Sequence, residues 1–135
     1  MSFSIYVSAF KDAEPYFFPS AVLRERFSKH MGAKDEFNFA PLSFDGNERA
    51  GEIHFEDGGT IDGFSVLRPP GNREFWEVIA GILRDLPCVI YWGGGAVMGS
   101  LDMLNELPDA IVEKLGVPLV STDAEQIRQY VRDNS

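Results

Sequence analysis

The five residues Cys88-Val89-Ile90-Tyr91-Trp92 carry no charged or amide side chain on either alternation face. A strand that is apolar on both sides has to be covered on both sides, as at the middle of an α/β sheet. The flanks sharpen this reading. Phe75, Ile79, Ile82, Leu83 and Leu86 recur at helical spacing, widened by Trp76 and Val78, and Asn72 stands where a helix cap belongs. Pro87 stops that helix, and Gly93-Gly94-Gly95 turns the chain after the strand. The remainder of the sequence reads as cover for this segment.

Taken in order, residues 3–10 alternate, with Phe3, Ile5, Val7 and Ala9 opposite Ser4, Tyr6 and Ser8, and predict a half-buried strand. The aromatic run Tyr16-Phe17-Phe18 follows, before Pro19. Ser20 is a candidate cap for a first helix with Leu23, Phe27 and Met31 on one stripe, closing at Gly32. Three strands are expected next, over 37–44, 51–56 and 60–67, with turns at Asp45-Gly46-Asn47 and Asp57-Gly58-Gly59 and a bulge at Gly63. Beyond the central strand, a helical segment over 99–107 and a helix between Pro108 and Gly116 lead to a short buried strand, Val117 to Val120. Thr122-Asp123-Ala124-Glu125 reads as a capping box for a last helix facing inward with Ile127, Tyr130 and Val131. The fold class expected is α/β, with α+β character in the first half. It is read as a single domain, 1–135, around a mixed sheet in the order β-α-β-β-β-α-β-α-β-α. The strands at 88–92 and 117–120 should run parallel across a helical crossover.

A chain of 135 residues, 44% apolar and 13% aromatic, can bury a real core. Its N-terminus, MSFSIYVSAF, has no basic n-region and reads as a strand, and no apolar run reaches the ~20 residues of a membrane helix. Cys88 is the only cysteine, which excludes an intramolecular disulfide and a multi-cysteine metal site. A cytoplasmic location is the expectation. The net charge of −9 is uneven: residues 35–62 carry eight carboxylates against one cation, Arg49. Such a surface repels nucleic acid and anionic membrane and attracts basic partners, or it only keeps the chain in solution.

The glycine turn follows a buried strand and precedes an expected helix, a setting in which backbone N–H groups hold phosphate. Gly93-Gly94-Gly95-Ala96-Val97-Met98-Gly99 fits G-x-G-x-x-G in no register, however, and no G-K-[ST] follows. His54-Phe55-Glu56 with Pro87-Cys88-Val89-Ile90-Tyr91 imitates a zinc deaminase signature, but Tyr91 stands where the last cysteine ligand belongs. Asp57 and Asp62 straddle a hairpin as turn formers rather than as an acid–base pair, and no serine sits in a nucleophile elbow. No catalytic residue, metal site or cofactor is therefore expected, and the chain is read as a non-enzyme. Three consecutive aromatics cannot all enter one core face, so either at least one of Tyr16, Phe17 and Phe18 is exposed, as at the centre of partner surfaces, or the run is a loop tucked over the sheet edge.

Four stretches together carry a resemblance: F-K-D-x-E-x-x-x-F-P over 10–19, D-G-F-S-V-L-R-P-P over 62–70, F-W-E-x-I over 75–79, and C-V-I-Y-W-G-G-G over 88–95. This pattern resembles small acidic bacterial proteins that look like immunity proteins of toxin–immunity systems. The resemblance implies a non-enzymatic, cytoplasmic protein that neutralises one cognate toxin. The partner expected is thus a toxin with a basic surface, occluded by Asp45, Glu48, Glu52, Glu56, Asp57 and Asp62, with Tyr16 and Phe17 alongside. The alternative is a small-molecule, nucleotide or anion module using Trp92, Gly93, Gly94 and Gly95, and an assembly or regulatory domain is a third possibility.

Overall fold

The computed structural model describes the chain apart from residues 1, 2, 45, 46 and 57, and for residues 47–50 the backbone alone. The architecture is mixed α/β. Among the described residues ten strands are formed: β1 (Ser4–Lys11), β2 (Glu14–Pro15), β3 (Phe18–Pro19), β4 (Phe39–Phe44), β5 (Asn47–His54), β6 (Thr60–Ile61), β7 (Gly63–Leu67), β8 (Cys88–Trp92), β9 (Gly95–Met98) and β10 (Leu119–Val120). The α-helices are α1 (Ser20–Arg26), α2 (Arg73–Asp85), α3 (Asp109–Leu115) and α4 (Ala124–Asp133), and a 3₁₀ helix spans Leu101–Glu106. Eight strands make one mixed sheet in the order β10-β9-β8-β1-β7-β5-β4, with β2 appended to β1, while β3 and β6 pair separately.

The expected meander is present, as β4 pairs with β5 and β5 with β7, all antiparallel. The alternation does shift near Gly63, but through a break rather than a bulge. At Asp62 the chain leaves β6, which pairs with β3, and enters β7, which pairs with β1. Gly63 is needed there because a Cβ would come 2.3 Å from the Val7 carbonyl oxygen. The middle position belongs to β1, not to the apolar strand β8, which lies between β1 and β9. Cover on both faces of β8 is nonetheless real: Cys88, Ile90 and Trp92 join the main core, and Val89 joins a second one.

Several elements differ from expectation for identifiable reasons. The segment after the glycines is a strand, so the parallel contact is β9 with β10 and not β8 with β10. All four residues of β9 are buried, and a short Gly-Ala-Val-Met run has no periodicity to announce that. The final strand lies at the sheet edge with Val120 exposed, and Val117 precedes it in solvent. In α1, Ser20 is the first helical residue after the cap position at Pro19, and the helix ends at Arg26. Met31 instead bridges to Leu42, and with His30 and Gly32 it covers the outer edge of β4. The α4 cap is Asp123, one residue later than expected, accepting from the Gln126 N–H at 2.8 Å. Asp12 and Ala13, both at positive φ, close a β1–β2 hairpin that the sequence lacks the usual Asn-Gly or Asp-Gly to signal.

The main core lies between the sheet and α1, α2 and α4. Phe75, Ile79, Ile82 and Leu83 of α2 are buried against Ile5, Val7 and Ile90 of the sheet face. At about 1.5–3 kcal/mol for each large side chain removed from water, this stripe is what holds α2 down. Phe27, just past α1, packs edge-on to Phe64 and against Phe75. On the opposite face a smaller core joins Val89, Ala96 and Met98 to Met103 and Leu107, with Ile111 and Leu115 of α3 against it. That cover takes in Tyr91 on β8 and Phe10 at one end of β1.

Candidate functional site

Beyond β8 and the Phe10 end of β1 the second face of the sheet is open. Strand register sets one row of side chains across it: Tyr91 on β8, Tyr6 on β1, Ser65 on β7, His54 on β5 and Phe39 on β4. Tyr6 and Tyr91 stack with ring centroids 5.5 Å apart, and Tyr6 still leaves 46% of its surface in solvent. The Tyr91 hydroxyl and Ser8 Oγ are 3.1 Å apart. His54 turns its ring onto Phe39, centroids 4.6 Å apart, rather than towards Ser65 on the facing strand. That geometry leaves Ser65 without a base within hydrogen-bond reach among the described residues, so it is not arranged as an activated nucleophile.

Three depressions share Tyr6, one of them running to the glycine turn and the end of α4. The first, about 360 Å³, is bordered by Phe17, His54, Glu56 and Asp62. Phe17 is 59% exposed, whereas Phe18 is buried, which is how the three-aromatic run resolves. Among the described residues that line this depression none is Lys or Arg. Lys34 is held on Phe55, one of the residues that line the depression. Its Nζ donates to the Phe55 carbonyl at 2.5 Å and lies 3.4 Å from the centre of that ring. Partial burial, then the Arg24 guanidinium, lower its pKa. The second depression, about 310 Å³, is apolar: Tyr6 and Tyr91 form one wall and Ile111 and Leu115 the other, with Lys114 at its edge.

The expected partner residues thus divide. Phe17, Glu56 and Asp62 come together around one depression. Glu52 lies one pleat repeat before His54 on the same strand face, and Arg68 holds it in a 3.1 Å ion pair that weakens its outward field. Tyr16 is not in the depression, and the Lys11 ammonium sits 5.8 Å from its ring centre. Asp45 and Asp57 fall outside the described residues, and so does the side chain of Glu48, whose backbone lies in β5. Tyr6, Tyr91 and His54 were not singled out as a surface by the sequence. The signal available was the polar side of the 3–10 alternation, which places Tyr6 among serines.

The glycine turn has a different role from the one that would hold phosphate. Trp92 pairs with Gly95 across a hairpin whose loop is Gly93-Gly94. What faces the loop is the end of α4: Trp92 Nε1 donates to the Asn134 carbonyl at 3.0 Å, and a Cβ on Gly94 would meet that same oxygen. Gly95 packs beneath the Tyr130 ring. A helix C-terminus presents carbonyl oxygens and the negative end of its dipole, so it disfavours an anion where a phosphate loop needs a helix N-terminus.

Other ionisable groups have structural partners. His30 stacks on Phe44 at 4.0 Å, with Nδ1 3.0 Å from the Ser43 carbonyl and Nε2 3.2 Å from Glu74 Oε1. Arg26 joins Asp85 at 2.8 Å, tying α1 to α2 and holding that carboxyl below its ordinary range. Burial pushes the Cys88 thiol up to about 12, which leaves it a neutral, unreactive core group at ordinary pH. Among the described residues no three His, Cys, Asp or Glu side chains are grouped to hold a metal ion. No helix of the described residues is long and apolar enough to cross a membrane. Comparison of the chain with protein-family models, curated proteins and solved structures found no match.

Proposed function

We propose that this protein is a non-enzymatic binding domain that neutralises a bacterial toxin by covering a basic surface of it with the open half of its sheet. One observation carries the reading: exposed aromatics, Tyr6 and Phe17, and the carboxylates Glu56 and Asp62 share an uncovered sheet face whose central depression lacks a Lys or Arg lining. Aromatic side chains of this kind serve as anchors of protein interfaces, and carboxylates steer a cationic partner towards them. The sequence resemblance to immunity proteins supports the same class, and the net charge of −9 suits a basic target. A cytoplasmic site of action belongs to this reading.

The test is co-expression with the toxin domain encoded beside the gene. Wild-type chain should protect the cells, and Tyr6→Arg should abolish protection while leaving the thermal melt within a few degrees. Glu56→Gln with Asp62→Asn should slow association and flatten its salt dependence. Full protection by Tyr6→Arg, or a gene neighbourhood that encodes no toxin, would overturn the proposal.

A further inference from the structure

We infer that the open face binds an extended segment of its partner that presents an apolar side chain and, four residues further on, a Lys or Arg. The inference rests on the binding role proposed above and specifies what the partner must look like. Its basis is the chemical difference between two of the depressions that share Tyr6. At one end Tyr91, Ile111 and Leu115 form an apolar slot with a single cation, Lys114, at its edge. At the other end Glu56 and Asp62 border a polar hollow.

Tyr91, Tyr6, Ser65 and His54 lie on four adjacent strands, in one row. Three steps of about 4.8 Å between neighbouring strands separate Tyr91 from His54, and Glu56 lies two residues past His54, off the row. An extended chain advances about 3.3 Å per residue, so side chains at i and i+4 span about 13 Å, and the length of a Lys or Arg side chain covers the remainder. The segment crosses the strands rather than adding to an edge, because the β4 edge is already occupied by residues 30–32. Charge sets its direction. Lys114 repels a cation at the apolar end, and the carboxylates attract one at the other. The Tyr6 ring, stacked on Tyr91, provides a flat, rigid floor between the two ends, with little side-chain entropy to lose on binding.

The experiment is an amide chemical-shift titration of the whole protein with the acetylated, amidated peptide Phe-Ser-Ser-Ser-Arg. Two control peptides replace Arg by Glu and Phe by Ser. The Phe–Arg peptide should shift amides at both ends together, at Tyr91 and Leu115 and at Glu56 and Asp62. Each control should bind at least tenfold more weakly. In the exposed, near-isosteric double variant Glu56→Gln, Asp62→Asn, the Phe–Arg and Phe–Glu peptides should become equivalent. Equal binding of the Phe–Glu peptide to the wild type, or shifts confined to one end, would overturn the inference. If that happens while Tyr6→Arg still abolishes protection against the toxin, the face is right and the occupant wrong. If Tyr6→Arg also protects fully, the binding role itself falls.

Discussion

The two halves of the second sheet face are made from the same pleated strands, yet one is roofed and the other bare. On β8 and β9 the residues pointing that way are Val89, Ala96 and Met98, buried under Met103 and Leu107, and the half-buried Tyr91 at the border. On β1, β7 and β5 the corresponding positions are Ser8, Tyr6, Ser65, His54 and Glu52, none of them fully buried. The first set must leave water, so the chain after β9 is drawn back across it as a 3₁₀ helix and α3. The second set can be solvated, so nothing has to cover it. Where the roof stops is therefore decided by side-chain chemistry on alternate residues of three strands, and the surface left over is the candidate for binding.

The sharpest way to break this comparison is to make equivalent truncations in the two halves. Met98→Ala removes a fully buried side chain and should cost about 2–5 kcal/mol in denaturant unfolding. Tyr6→Ala should cost only about 0.5–1.5 kcal/mol, chiefly the stack on Tyr91. Equal losses would mean that the open half is structural after all.

The hairpin joining β8 to β9 offers a second contrast. Gly94→Val drives a side chain into the Asn134 carbonyl and should cost about 1–3 kcal/mol, seen as a lower melting temperature and faster amide exchange in α4. Gly93→Ala meets open space and should be close to neutral. A phosphate-binding turn would instead show a nucleotide-dependent melting shift that Gly94→Val removes.

Acid titration probes the opposite face, where α1, α2 and α4 cover the main core. The Asp85 carboxyl is depressed, first by its hydrogen bond from Arg26, and Glu125 likewise by Arg128. A depressed carboxyl stabilises the fold above its unfolded-state pKa, and that contribution is lost as pH falls through the folded value. Stability should thus decline below the ordinary carboxylate range, and Arg26→Gln should flatten part of the decline in a melting-temperature series. The smallest effect is expected from Phe17→Ser. It should leave stability within about 0.5 kcal/mol, as for a surface residue, while weakening the binding that Tyr6→Arg abolishes.

Much of the secondary structure was legible from side-chain periodicity. The stripe Phe75, Ile79, Ile82, Leu83 gave α2, the 3–10 alternation gave β1, and the apolar run gave β8 with its two-sided cover. Strand β9 was hidden because Gly95, Ala96, Val97 and Met98 are small or flexible enough to fit a helix start equally well. Of the candidate surface, Phe17, Glu56 and Asp62 could be named from exposure and charge. Tyr6 and Tyr91 could not, since each reads as an ordinary strand residue until the register places them side by side.

What the sequence determined alone is local: which segments bury one face, which bury two, and where carboxylates accumulate. These follow from the fixed periods of helix and strand acting on neighbouring residues. Only the tertiary structure decided that β1 is central, that α4 ends on the glycine turn, and that Tyr91, Tyr6, Ser65 and His54 form one row. Strand order and register are set by pairings between residues far apart in the chain, and no local pattern encodes those partners.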